Sequence, residues 1–163
     1  MDTLRTLTRP GPEAVIRQFQ PDDAEACLAV IRECIRRDPC LPASSREALL
    51  EGETVETIRE RGSLYYIVVY ETGREIAGIA GVEMNEIRLL FVAPGRQRNG
   101  IGGKLLAYLE RMVPPALFRD VFAYAAPAAV AFYRRHGYVG RGQQLFEVQG
   151  QLLETVFMVK PLP

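Results

Sequence analysis

The chain has no tryptophan, one histidine (His136) and three cysteines among its 163 residues. One histidine, with cysteines at Cys27, Cys34 and Cys40, matches no zinc spacing, so no metal site is expected. An odd number of cysteines cannot all pair within one chain, and the reading is reduced thiols and a cytoplasmic protein. Charge of one sign is also missing: 20 basic residues face 20 acidic ones. That balance speaks against a nucleic-acid partner. No apolar run approaches the ~18 residues of a membrane span, so no membrane partner is expected. The opening stretch is broken by Arg5, Arg9, Pro10, Gly11 and Pro12, unlike a secretory signal.

What is present is ordinary for a globular chain: 48% apolar and 25% charged residues. The length suits one domain with a full core. Residues 1–13 read as a flexible arm and 14–163 as a single domain. Val15–Phe19 reads as a strand. Pro21, Asp22 and Asp23 offer an acidic helix start. Cys27, Leu28, Ile31, Cys34 and Ile35 then repeat at helical spacing, which places both thiols on a buried stripe. Ser44 and Glu47 fit a capping box for a second helix, interrupted near Gly52 and resuming to Arg61. Strands are expected at Leu64–Tyr70, Ile76–Met84, Glu86–Val92 and Phe118–Ala125. Helices are expected from Gly100 to the Pro114-Pro115 stop, and from Pro127 to Arg135, with Gly137 ending the latter. Tyr138–Gly140, Gln144–Val148 and Leu152–Lys160 read as closing strands. The fold class is α/β (α+β), built on one mixed sheet.

The most informative stretch runs from Val92 to Lys104. A strand feeds a loop, Ala93-Pro94-Gly95-Arg96-Gln97-Arg98-Asn99-Gly100, which opens into a helix. Free N–H groups at a helix start, beside glycines and Arg96, Arg98 and Lys104, suit a phosphate. It is not a Walker loop: Arg98 stands where that motif has its first glycine, and Leu105 where it has Ser or Thr. Nor is it the dinucleotide fingerprint, whose third glycine is replaced by Leu105.

Two blocks resemble the GNAT N-acetyltransferase superfamily. Gln97-Arg98-Asn99-Gly100-Ile101-Gly102 is similar to its Gln/Arg-x-x-Gly-x-Gly/Ala signature. Ala129 through Phe132-Tyr133 to Gly137-Tyr138 is similar to its A-x-x-F-Y-x-x-x-G-F/Y block. The resemblance spans Val15 to Lys160. It implies a mostly antiparallel sheet with splayed fourth and fifth strands, flanked by about four helices. It implies acetyl-CoA as co-substrate, its pyrophosphate held by Gln97, Arg98, Asn99, Gly100, Ile101, Gly102 and Gly103. Phe91 and Val92 would hydrogen-bond the pantetheine arm and thioester through their backbone. Glu86 corresponds to a base acting through water, with Glu83 as second choice. Tyr133 corresponds to the acid that protonates the departing thiolate. Ala126 stands where many members carry Asn or Ser, so that one side-chain contact is missing.

The implied reaction is transfer of an acetyl group to a primary amine, on a small molecule or on a protein or peptide. Polyamine, amino acid, antibiotic amine, protein lysine and protein N-terminus all stay open, as do a longer acyl donor and a homodimer through the closing strands. With no serine elbow and no cysteine beside a histidine, direct attack is favoured over an acyl-enzyme. The competing readings are a non-catalytic acyl-CoA-binding sensor or partner module of the same fold, and a nucleotide binder.

Overall fold

The computed structural model describes residues 13–163. The expected arm therefore lies, but for Glu13, outside the described residues. Seven strands form one sheet: β1 (Ala14–Gln18), β2 (Tyr66–Thr72), β3 (Glu75–Glu83), β4 (Glu86–Val92), β5 (Asp120–Ala125), β6 (Val139–Val148) and β7 (Gln151–Pro161). Their order across the sheet is β1-β2-β3-β4-β5-β7-β6. Every pairing is antiparallel except β4 with β5. Five helices flank the sheet: α1 (Ala24–Arg37), α2 (Ala43–Gly52), α3 (Val55–Leu64), α4 (Ile101–Met112) and α5 (Val130–Arg135).

The two faces carry separate cores. On one, α4 and α5 bury Leu105, Leu106, Leu109 and Tyr133 against Val68, Ala80, Val121, Ala123 and Met158. On the other, α1 and α3 bury Cys27, Ile31, Ile35 and Ile58 against Ile67, Val69, Ile79 and Leu89. Strand alternation produces this division, because successive residues of β2 and β4 point to opposite faces. The stripe expected on α1 is there, with Cys27 buried and Cys34 half-buried.

Four local expectations change. Ser44 and Glu47 do not cap α2: Pro42 precedes it without a side-chain cap, and Ser45 is buried. The box forms one helix later, where Thr54 and Thr57 exchange side-chain to backbone bonds of 3.1 and 2.8 Å. The interrupted helix is thus two helices. Buried Glu53 sits between them, chelated by Arg61 at 2.7 and 2.9 Å. Leu64 ends α3 instead of starting β2, because the Tyr65 N–H donates back to the Arg61 carbonyl. Phe118 lies before β5, its N–H closing a turn on Pro114. Finally, Val139–Gly140 and Gln144–Val148 belong to one strand, with Tyr138 just before it. The glycine-rich link between them is a bulge against β7, with Gly142 at φ 130°, and not a turn.

Candidate active site

The parallel pair β4–β5 touches only at its start, where Glu86 meets Phe122 and Ile87 meets Ala123. Arg88 to Val92 have no partner on β5. A bulge on the other side of β4 accounts for the parting. Between the pairs Gly81–Leu89 and Val82–Ile87, Arg88 has no partner on β3. Such an extra residue bends and twists its strand. The result is a gap edged by unpaired backbone, into which an extended ligand can lay itself like a strand.

The register decides which residues face that gap. The Ala93 N–H donates to the Ala77 carbonyl on β3 at 2.8 Å. Antiparallel ladders alternate, so Phe91 also turns its N–H and C=O toward β3, opposite Ile79. Phe91 therefore has no backbone to offer the gap; Leu90 and Val92 do. Leu90 was missed, though the two-residue alternation counted from the loop could have found it. The Val92 carbonyl is already engaged, accepting from Gln97 Nε2 at 2.9 Å and from the Cys34 thiol at 3.1 Å. Its N–H lies on the same side of the strand.

Gln97 thus pins the loop to the end of β4. Arg98 adopts φ 65° and Gly100 φ 76°. This left-handed turn swings the chain into α4 with no side-chain cap. The first N–H groups of α4, at Ile101, Gly102 and Gly103, therefore lack intrahelical or capping acceptors. Ile101 is buried, so only its backbone can meet a ligand. Asn99 is exposed and reaches the Arg96 carbonyl at 3.4 Å, while Arg96 pairs with Glu75 at 2.9 Å. A Cβ at Gly100 would meet nothing, so its requirement is the backbone turn. A Cβ at Gly103 would stand 2.6 Å from His136 Nε2, so its requirement is the close approach of α5. His136 ends α5, its Nδ1 bonded to the Phe132 carbonyl at 2.8 Å and its ring 4.4 Å from that of Phe132.

Tyr133 is 6% exposed on α5, edge-on to Phe132 and Tyr138 at 5.3 and 5.1 Å. Its hydroxyl has no hydrogen-bond partner among the described residues. Burial raises its pKa well above the usual tyrosine range, so the phenol stays protonated at neutral pH. Glu86 opens β4, half-buried, with both carboxylate oxygens 3.2–3.3 Å from Arg88 Nη1. Arg88 also donates to Tyr65 Oη at 2.8 Å, lies over that ring at 4.9 Å, and stands 3.7 Å from Glu83. Glu86, Ile87 and Arg88 form one side of a cleft of about 390 Å³, completed by Leu49, Tyr124, Phe146, Leu153 and Thr155. Sequence reasoning named none of those last five, which come from four separate elements.

The two thiols on α1, Cys27 and Cys34, are poor nucleophiles. Burial pushes Cys27 up to about 12 and Cys34 up to about 11. Among the described residues, no group of three or more His, Cys, Asp or Glu side chains could hold a metal ion, and no helix is long and apolar enough to cross a membrane.

Comparison with known proteins follows the geometry. No curated protein matches the sequence. Solved structures match over nearly the full length. A GCN5-related N-acetyltransferase from Rhodopseudomonas palustris superposes with a TM-score of 0.87 at 19% identity, over 95% of this chain and 99% of that one. The PaiA N-acetyltransferase of Thermoplasma acidophilum, in complex with coenzyme A, gives 0.72 at 16% identity, over 91% and 99%. YncA of Salmonella typhimurium, solved with its cofactor acetyl-CoA, gives 0.66 at 17% identity, over 92% and 94%. At these identities the likeness is one of fold. The family model for the acetyltransferase (GNAT) domain matches residues 41–158, most of the chain. The chain therefore belongs to the GNAT acetyltransferase family.

Proposed function

We propose that the chain transfers an acetyl group from acetyl-CoA to a primary amine by direct attack. One observation carries the reading: β4 and β5 part after Ile87, beside the uncapped, glycine-flanked start of α4. Helix N–H groups there suit a pyrophosphate, and the gap suits the extended pantetheine arm. PaiA and YncA, which share the fold, were solved with coenzyme A and acetyl-CoA, and this supports a coenzyme ligand. The three free thiols fit a reducing compartment, the cytoplasm.

Glu86 takes a proton from the amine through a water, and the neutral nitrogen attacks the thioester carbonyl. The new N–C bond gives a tetrahedral oxyanion with a cationic nitrogen, and the Val92 N–H, turned into the gap, is the donor for the oxyanion. As the C–S bond breaks, the nitrogen sheds its second proton to solvent and the Tyr133 phenol gives its proton to the leaving thiolate; solvent then returns a proton to Tyr133. Burial keeps the phenol protonated at neutral pH, so its proton is in place when the thiolate forms.

Calorimetry with acetyl-CoA, using coenzyme A and ATP as controls, tests the coenzyme half. Micromolar binding, about −8 kcal/mol, selective for the coenzymes is expected. Tyr133→Phe tests the catalytic half: turnover is expected to fall about 100-fold with coenzyme affinity unchanged. Unchanged turnover would remove Tyr133 from the reaction, while no turnover in the wild type despite coenzyme binding would favour a coenzyme-binding module instead.

A further inference from the structure

The helices cover the sheet unequally. α1 and α3 pack over β2, β3 and β4, while on the same face α2 lies against β7 and β6. This bare half is aromatic. Phe122, Tyr124 and Phe157 stand edge to edge, with centroids 5.3–5.9 Å apart, and Phe146 adds to Tyr124 at 4.9 Å. Tyr124 is 36% exposed and Phe146 40%. Large rings are rarely left wet in a cleft without something to cover them. Their wall faces Glu86 and Arg88 across the 390 Å³ cleft.

The charges at the mouth select the occupant. Glu83 and Glu86 share the single cation Arg88. Arg88 is committed, with one nitrogen on Glu86, another on Tyr65 Oη, and its plane against the Tyr65 ring. Among the described residues no other cation lines the cleft, and the trio is net negative. An ammonium is attracted there, while a carboxylate beside the amine would meet two carboxylates without a partner. A second ammonium further along the acceptor would have to desolvate against Leu49 and Leu153.

We infer that this cleft takes a small primary amine carried on an aromatic or branched apolar group, with no carboxylate next to the nitrogen. The inference rests on the acetyl-transfer reading for its chemistry, and on the cleft alone for its binding. The apolar carrier lies on Tyr124 and Phe146, and the nitrogen points back to Glu86, where the deprotonation described above occurs. The volume suits a ring and a short linker; a polypeptide would extend beyond it.

The test pairs turnover with direct binding, using the full chain. Thiol release from acetyl-CoA is measured with 2-phenylethylamine, phenylalanine, putrescine and a short peptide with an N-terminal phenylalanine. 2-Phenylethylamine is expected to exceed each of the others in kcat/KM by about tenfold or more. Phe146→Ala is expected to raise KM for 2-phenylethylamine about tenfold with little change in kcat, because the ring holds carrier and not reacting atoms. Equal or better turnover of any other acceptor overturns the inference and leaves acetyl transfer standing. So does an unchanged KM in a folded Phe146→Ala. If acetyl-CoA does not bind, the acetyl-transfer reading fails by itself, and calorimetry with 2-phenylethylamine still decides the cleft. Binding in the wild type that weakens in Phe146→Ala supports it, and no binding overturns it.

Discussion

The two faces of the sheet are built to different standards. Under α4 and α5 the side chains interlock: Leu105 and Leu109 are fully buried, and Gly102 and Gly103 let Phe132 and His136 of α5 press against α4. On the opposite face, the β5–β7–β6 half leaves Tyr124 and Phe146 open to water. Packing on the first face secures the loop at the start of α4, the proposed coenzyme site. Openness on the second leaves the room that the proposed acceptor needs. The gap between β4 and β5 joins them. One side is held by contacts that the folded state cannot lose cheaply, and the other leaves large apolar side chains uncovered.

The largest effect expected from this contrast is on stability. Leu105→Ala removes a fully buried side chain between α4 and Gly78 of β3, and should cost about 2–5 kcal/mol in denaturant unfolding. Phe146→Ala on the bare face should stay within about 1 kcal/mol of wild type. Similar losses for the two would erase the distinction between the faces.

A smaller effect sharpens the packed side. The Cβ of Gly103→Ala would collide with His136, whose ring is held by Phe132. The two positions should therefore couple. In a cycle with His136→Ala, the double variant is expected to be more stable than the sum of the singles by about 1 kcal/mol. Additive losses would mean that α5 does not lean on α4 there.

The smallest effect lies at the far edge of the sheet, where ion pairs add to the ladder and the Ile16 contact that tie β1 to its neighbours. Arg17 bonds Asp23 at 2.8–2.9 Å and Glu71 at 2.8 Å. Its hydrogen bonds hold both carboxyls below their usual pKa. A depressed carboxyl contributes stability above its unfolded pKa and loses it as pH falls through the folded value. Arg17→Ala should therefore lower stability slightly at neutral pH, with the gap to wild type closing as pH falls through the folded carboxyl values in a series of denaturant unfolding curves. A gap that is the same at low pH would remove this tie.

Most elements could be read along the chain because each rests on a local pattern. The stripe of α1, the β4 run from Glu86 to Val92 and the glycine-opened α4 stand where the residue spacing puts them. The local misreadings have local causes. Ser44 and Glu47 have capping chemistry, but Thr54 and Thr57 form the box. Gly140 to Gln143 has turn chemistry, but β7 runs alongside without interruption and makes it a bulge. The loop proposed for the coenzyme was legible for the same reason as α4: Gln97 to Gly103 are contiguous, and the free N–H groups there belong to the backbone.

Of the cleft proposed for the acceptor, the individual side chains were not legible, apart from Glu86. Leu49, Tyr124, Phe146 and Leu153 lie on four different elements, and nothing in their spacing marks them as neighbours. Nor does Arg88 announce itself; it becomes the partner of Glu86, Glu83 and Tyr65 only because β4 bulges at that residue. The sequence by itself determined which segments become helix and strand, and where a phosphate can meet free N–H groups, because hydrophobic period and helix-start chemistry act over a few residues. Tertiary structure alone decided that Phe91 faces β3 and Val92 the gap, that Tyr133 is dry enough to keep its proton, and which side chains wall the cleft. Register, burial and convergence depend on which strands pair, and pairing is settled between residues far apart in the chain.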